Sequence, residues 1–327
     1  MDGRRSPLRH GFWLLAAAVL ALVLPTIAFG TFLLGTAAEV PDPRERRGEL
    51  ASVATLDRYP FEDGRIEELR LHSDTGITFE IALRVPDDPL PGRPLVVLLA
   101  GNETGRKAAT LIRDPSGAAV AALSYPFREI PYREWIPMIR ALPDVQRGIL
   151  DTPAAVLLAL DYLLGREDLA PERVELIGVS FGAYLVSVPA ALDPRVDRLW
   201  LIHGSGAPDR VIAYGLEERL PSSWLRRRTG EFLASVAGAP AFAPEFWIDR
   251  VAPRPVVVVS AEGDRSIPPD AVRILHDAVP EGTEILWTPG DHVHPKRPET
   301  LDLLSDLIRE RVLAAVAAEG ERTASAR

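Results

Sequence analysis

The sequence of 327 residues contains no cysteine. This excludes disulfides, thiolate nucleophiles and cysteine-ligated metals, yet leaves the compartment open, because a large domain needs no covalent staples. Positive charge is in short supply: 37 Lys and Arg face 46 Asp and Glu, a net charge of −9. No basic footprint of the kind a nucleic-acid binder presents is therefore expected. Lysine is nearly missing, with Lys107 and Lys296 alone, a compositional bias without functional meaning. A phosphate-binding glycine loop of either common type and an internal repeat are also missing, so nucleotide enzymes and repeat folds lack support. What is present is 47% hydrophobic beside 25% charged residues, the balance of a globular chain with a sizeable core.

The N-terminus departs from that balance. After a tail of residues 1–10, the run 11–38 holds no charged residue. At 1.5 Å per residue it is long enough to cross a hydrocarbon core of roughly 30 Å. A cleaved signal peptide carries an apolar stretch of about 7–15 residues, so a retained transmembrane anchor is the expectation. Thr36-Ala37-Ala38 offers a small-residue cleavage site as the alternative. Arg4, Arg5 and Arg9 balance Arg44, Arg46 and Arg47 across the span, so arginine count leaves the orientation undecided. With so short a tail, the N-terminus is placed inside and the large domain outside the cytoplasm. Cleavage would instead give a secreted or periplasmic protein.

Residues 39–60 read as a polar, proline-bearing linker, and 61–319 as one domain with a disordered tail at 320–327. Within the domain, strand-like runs alternate with helical patterns. PLVVLLA and RPVVVVS are continuously apolar and β-branched, as in central parallel strands covered on both faces. Helical patterns cover Thr152–Leu164, Phe181–Ala191 and Glu299–Ala317. The alternation predicts an α/β fold with a mostly parallel, eight-stranded sheet flanked by helices. Arg65–Leu71 and Ile77–Val85 form an antiparallel hairpin at its edge. Residues 206–253 lack a β-like run and form a small helical cap insertion. Its aromatics Trp224, Phe246 and Trp247 are candidate pocket walls, with packing of the cap as the competing explanation.

The chemistry-bearing stretch is ELIGVSFGAYLV, where Ser180 stands between Gly178 and Gly182 at the end of an apolar run. A sharp strand-to-helix turn holds such a serine in a strained conformation, and side chains two positions away would collide with neighbouring backbone. A serine hydroxyl needs a base, and the base an orienting carboxylate, in the chain order serine, acid, histidine. Among the six histidines, His10 and His72 lie upstream and His276 sits within a helical pattern. His203 ends a strand and is a candidate pocket residue. His292 and His294 in TPGDHVHP remain as bases, His292 being preferred. In VVVVSAEGDRSIP, Asp264 is preferred to Glu262 as the acid, and Asp291 is left adjacent to His292. Backbone N–H groups of Phe181 and Asn102 are the candidate oxyanion hole. No metal or other cofactor is expected.

The segments LDTPAAVLLALDYLL, ERVELIGVSFGAYL, FWIDRVAPRPVVVVSAEGDRSIP and TPGDHVHP together resemble bacterial α/β-hydrolases. The resemblance covers roughly 94–312 and is nearest to the branch holding dienelactone hydrolases and the catalytic domains of prolyl-oligopeptidase-like enzymes. It implies an α/β-hydrolase fold and triad roles for Ser180, Asp264 and His292. Two features depart from that pattern. Ala100-Gly101 stands where His-Gly is usual, and the chain ahead of the core is too short for a propeller domain. The activity implied is that of a carboxylesterase on small to medium esters. A serine peptidase or amidase with the same triad is the first alternative, and a non-catalytic binding protein of the same fold the second.

Overall fold

The computed structural model describes residues 7–38, 40–62, 64–90, 92–127 and 135–325. Side chains of 7–18, 22, 36–38, 135, 138, 139, 319, 320 and 322–325 lie outside the described residues. Helices α1 (Pro7–Ala38) and α2 (Pro43–Arg47) precede three strands, β1 (Leu50–Phe61), β2 (Gly64–Ser73) and β3 (Thr78–Pro86). There follow β4 (Pro94–Leu99), β5 (Ala119–Leu123), α3 (Trp135–Leu164), β6 (Arg173–Val179), α4 (Ser187–Leu192) and β7 (Arg198–Ile202). The cap holds α5 (Pro208–Gly215) and α6 (Ser223–Val236). The chain then closes with β8 (Val256–Ala261), α7 (Pro269–Ala278), β9 (Glu284–Thr288) and α8 (Pro298–Ser325).

The strands form one 9-stranded sheet in the order β1-β2-β3-β5-β4-β6-β7-β8-β9. From β5 to β9 every pair is parallel, while β1, β2, β3 and β5 pair antiparallel. The apolar runs seen in the sequence are two-sided. Leu95, Val97 and Leu99 of β4 enter the core beneath α3 and α4, whereas Val96 and Leu98 enter the one beneath α8. Strand order reverses at β4, since β5 lies on one side of it and β6 on the other. Such a reversal opens a crevice above the carboxyl ends of the two strands.

The sheet has nine strands where eight were expected. The added one, β1, occupies the second half of the segment read as a linker, 39–60. Nearly every residue of β1 is exposed, so it lacks the apolar alternation that marks a half-buried strand, and Pro60 is tolerated because β1 is an edge. At the other end α8 continues through Ser325, past residue 319 where the domain was expected to stop.

The C-terminal turns of α1 pack on the cap. Leu33 is 2% exposed, and its carbonyl accepts the Gln146 amide of α3 at 2.6 Å. The same amide also bonds to the carbonyl of Val236 in α6. Among the described residues no helix is long and apolar enough to cross a membrane. Much of the 11–38 span expected to do so lies, in its side chains, outside those residues.

Candidate active site

Ser180 follows directly on β6 and sits in the left-handed region, at φ +56°. Few side chains adopt that conformation without support. The support is close packing. A Cβ on Gly182 would run into the Leu99 carbonyl, and one on Gly178 would meet the Val186 side chain and, at 2.6 Å, Ala183 Cα. The chain then continues as a 3-10 helix, Ser180–Tyr184, before α4, in place of one helix over Phe181–Ala191.

Three residues distant in sequence meet here. Ser180 Oγ lies 2.7 Å from His292 Nε2. His292 Nδ1 lies 2.7 Å from Asp264 Oδ2. A carboxylate only accepts, so Nδ1 carries the proton and Nε2 is left to receive the serine hydroxyl. Asp264 comes from the loop after β8, where its other oxygen accepts the N–H groups of Ser266 at 2.8 Å and Ile267 at 3.0 Å. Burial resists ionisation of Asp264, yet the His292 hydrogen bond and charge and the two N–H donors outweigh it and hold the carboxyl below its usual range.

The loop bearing His292 is held from both sides. Asp291 accepts from the backbone and guanidinium of Arg265, from the His292 N–H and from Arg297, which together hold its carboxyl well below the usual range. Arg297 also donates to the His292 carbonyl at 2.7 Å. From beneath, Val293 N–H donates to His203 Nδ1 at 2.8 Å, so His203 Nε2 carries its proton toward Thr288 Oγ1 at 3.0 Å. His203 is 1% exposed, and burial, then the charge of His292, lower its pKa to about 4. His203 is thus a support behind His292 rather than a pocket wall. His294 lines the cavity beside Ser180 but makes no hydrogen bond to it, its Nδ1 accepting Lys296 N–H at 3.1 Å.

Ligand atoms of His203, Asp264 and His292 lie within 4.8 Å of one another, near enough to hold a metal. Their lone pairs already face N–H and O–H groups, however, so the donor set does not fit a resident ion.

Phe181 N–H opens the 3-10 helix and is one of the donors such a helix cannot satisfy within itself. The Phe181 ring packs against Tyr125 at 5.2 Å, and the Tyr125 hydroxyl donates to the Ala100 carbonyl at 2.5 Å. That chain ties the turn after β6 to the loop after β4. Asn102, in that loop, lines the same cavity as Ser180, and Glu103 beside it is exposed.

Two apolar cavities adjoin Ser180, one of about 280 Å³ beside α8 and one of about 300 Å³ beneath the cap. Neither is walled by the expected aromatics. Trp224 is 60% and Phe246 63% exposed, and Trp247 donates its indole N–H to the Ala241 carbonyl within the cap. The aromatic side chains of the cap face solvent or brace it. Mostly aliphatic side chains line the cavities instead, with a few polar ones such as Asn102 and Ser305, and nothing local in the sequence distinguishes the aliphatic ones from core.

No protein-family model matches the sequence, and no curated protein is significantly similar to it. Solved structures are similar in fold. Acetyl xylan esterase 1 from Thermoanaerobacterium sp. JW/SL YS485 aligns over 86% of this chain and 93% of its own, with 14% identity and a TM-score of 0.57. The acetyl xylan esterase from Paenibacillus sp. R4 aligns over 85% and 94%, with 18% identity and the same TM-score, 0.57. Acylaminoacyl peptidase from Pyrococcus horikoshii aligns over 76% of this chain but 41% of its own, with 16% identity and a TM-score of 0.53. At these identities the likeness shows the fold, which is that of the α/β-hydrolases.

Proposed function

We propose that the protein is a serine hydrolase that cleaves carboxylic esters through an acyl-enzyme on Ser180. The observation that carries this reading is the unbroken chain Ser180–His292–Asp264, with both links at 2.7 Å, beneath a serine in a left-handed turn. His292 Nε2 takes the hydroxyl proton as Oγ adds to the ester carbonyl carbon. Negative charge develops on the carbonyl oxygen, toward the N–H groups of Phe181 and Asn102. The intermediate collapses, the bond to the alcohol oxygen breaks, and His292 returns the proton to that oxygen. Water then repeats the sequence on the acyl-enzyme. Asp264 stays ionised, fixes the imidazole tautomer and stabilises the imidazolium.

Esters are favoured over amides because both pockets at the serine are lined mainly by apolar side chains, and because two of the similar structures are esterases. The likeness to acylaminoacyl peptidase keeps a peptidase as the second reading, though the chain matches less than half of that protein. Short- and medium-chain p-nitrophenyl esters and aminoacyl anilides separate the two. Ester turnover should dominate and should fall by about 10⁴-fold or more in Ser180→Ala. Equal turnover by Ser180→Ala, or anilide cleavage with poor ester cleavage, would contradict the reading.

Attachment to a membrane through 11–38, with the hydrolase domain outside the cytoplasm, belongs to the same proposal. It is supported by the uncharged sequence and by Val19, Leu20, Val23, Leu24 and Ile27 of α1, all exposed.

A further inference from the structure

The two cavities at Ser180 occupy different layers of the molecule. The first burrows between the sheet and α8, past Leu98 and Ile202 of the sheet, with Ala108, Leu111, Leu304 and Ile308 as walls. It follows from a thin crossover. Parallel strands β4 and β5 are joined through a 3-10 helix of six residues, Gly105–Thr110, where such a connection usually carries a full α-helix. Among the described α-helices only α8 adds residues to the core on that face, so apolar wall is left uncovered beside the nucleophile. The second cavity lies across the serine, between α3 and the cap, with Ile149, Val211, Ile212 and Ala239 in its lining. Ser180, Phe181 and His292 line both cavities, so the reacting atoms stand at their junction.

An ester extends in two directions from its carbonyl carbon. In the tetrahedral intermediate that carbon holds Ser180 Oγ, the oxyanion, the acyl carbon and the alcohol oxygen. The oxyanion is taken by the N–H donors, which leaves two diverging arms to be housed. We propose that the two chambers are separate acyl and alcohol subsites, and that the substrates are esters carrying an apolar group on each side of the scissile bond. The proposal rests on the ester-hydrolase reading above. Each methylene accommodated is worth about four-fold in affinity, whereas a charged or sugar group set among the apolar side chains that make up most of both linings would lose water and find few partners there.

The test is a grid of esters with the purified full-length protein, followed by proton release at constant pH. One series is methyl esters from acetate to hexanoate, and the other is acetates from methyl to hexyl. Ala108→Phe fills the first chamber, Val211→Phe fills the second, and Leu304→Ala enlarges the first. For each series the readout is the ratio of kcat/KM between its longest and shortest member. Ala108→Phe should lower that ratio at least tenfold in one series and leave it within twofold in the other. Val211→Phe should do the reverse, and Leu304→Ala should raise the ratio that Ala108→Phe lowers. If both filling variants act on the same series, or neither acts on any, the two-subsite proposal is wrong while ester hydrolysis stands. If the wild type releases no more acid than Ser180→Ala from any ester, the hydrolase reading fails and takes this one with it.

Discussion

His203 has a folded-state pKa of about 4 against 6.5 for an ordinary histidine, because it is buried behind His292 and accepts the Val293 N–H. Between those two values the unfolded chain binds the proton that the folded one refuses. Stability therefore rises with pH through this window and is lost as pH falls from 6.5 toward 4, by about 3 kcal/mol in all. His203→Gln keeps an acceptor but cannot titrate. Urea unfolding of the two proteins at pH 7 and pH 4.5 should show a shallower pH dependence in the variant, and equal slopes would remove His203 from the account. The other histidines show how far residue-level reading reaches. Composition and order left His292 and His294 as candidates from one loop, and only the distances separate them, since His294 turns to Lys296 N–H. His294→Ala should accordingly cost less than tenfold in kcat/KM, and His292→Ala about 10⁴-fold or more. A larger loss in His294→Ala would reassign the base.

The turn after β6 is the element on which the site depends. Gly178 and Gly182 were legible as its signature because the backbone forbids a Cβ at both, a local requirement that local sequence can carry. Gly182→Ala would drive a methyl group into the Leu99 carbonyl of the neighbouring strand, which has no flexible end to yield. A loss of about 3 kcal/mol or more, or insoluble protein, is expected, and thermal unfolding within 1 kcal/mol of wild type would contradict the packing described. Strands β4 and β8 were legible for a similar reason, because burial on both faces writes an almost continuous apolar run. Edge strand β1 was not, since exposure leaves it free of any apolar pattern and it is held to β2 by the backbone ladder with an ion pair, Arg58–Glu67. The cap was legible as a helical insertion, but not the direction in which Trp224 and Phe246 point, which tertiary packing decides.

At the scale of the whole molecule, the cavities beside Ser180 arise from long-range choices: a 3-10 helix where a full helix is usual, and α8 returning to the sheet from the far end of the chain. No local pattern announces them. The N-terminal anchor proposed above is the converse case, since its expectation rests on the uncharged run 11–38 of the sequence. The full-length protein should sediment with membranes, resist carbonate extraction and keep its N-terminus, whereas soluble protein beginning near Glu39 would show a cleaved signal. The chemistry claimed for Ser180 is tested most directly by covalent labelling of the folded full-length protein with a fluorophosphonate, followed by peptide mass spectrometry. An activated serine hydroxyl adds to the phosphorus and expels fluoride, so one label is expected on the peptide containing Ser180, with none in Ser180→Ala and strongly slowed labelling in His292→Ala. Folded wild-type protein that stays unlabelled, or Ser180→Ala labelled to the same extent, would contradict the account.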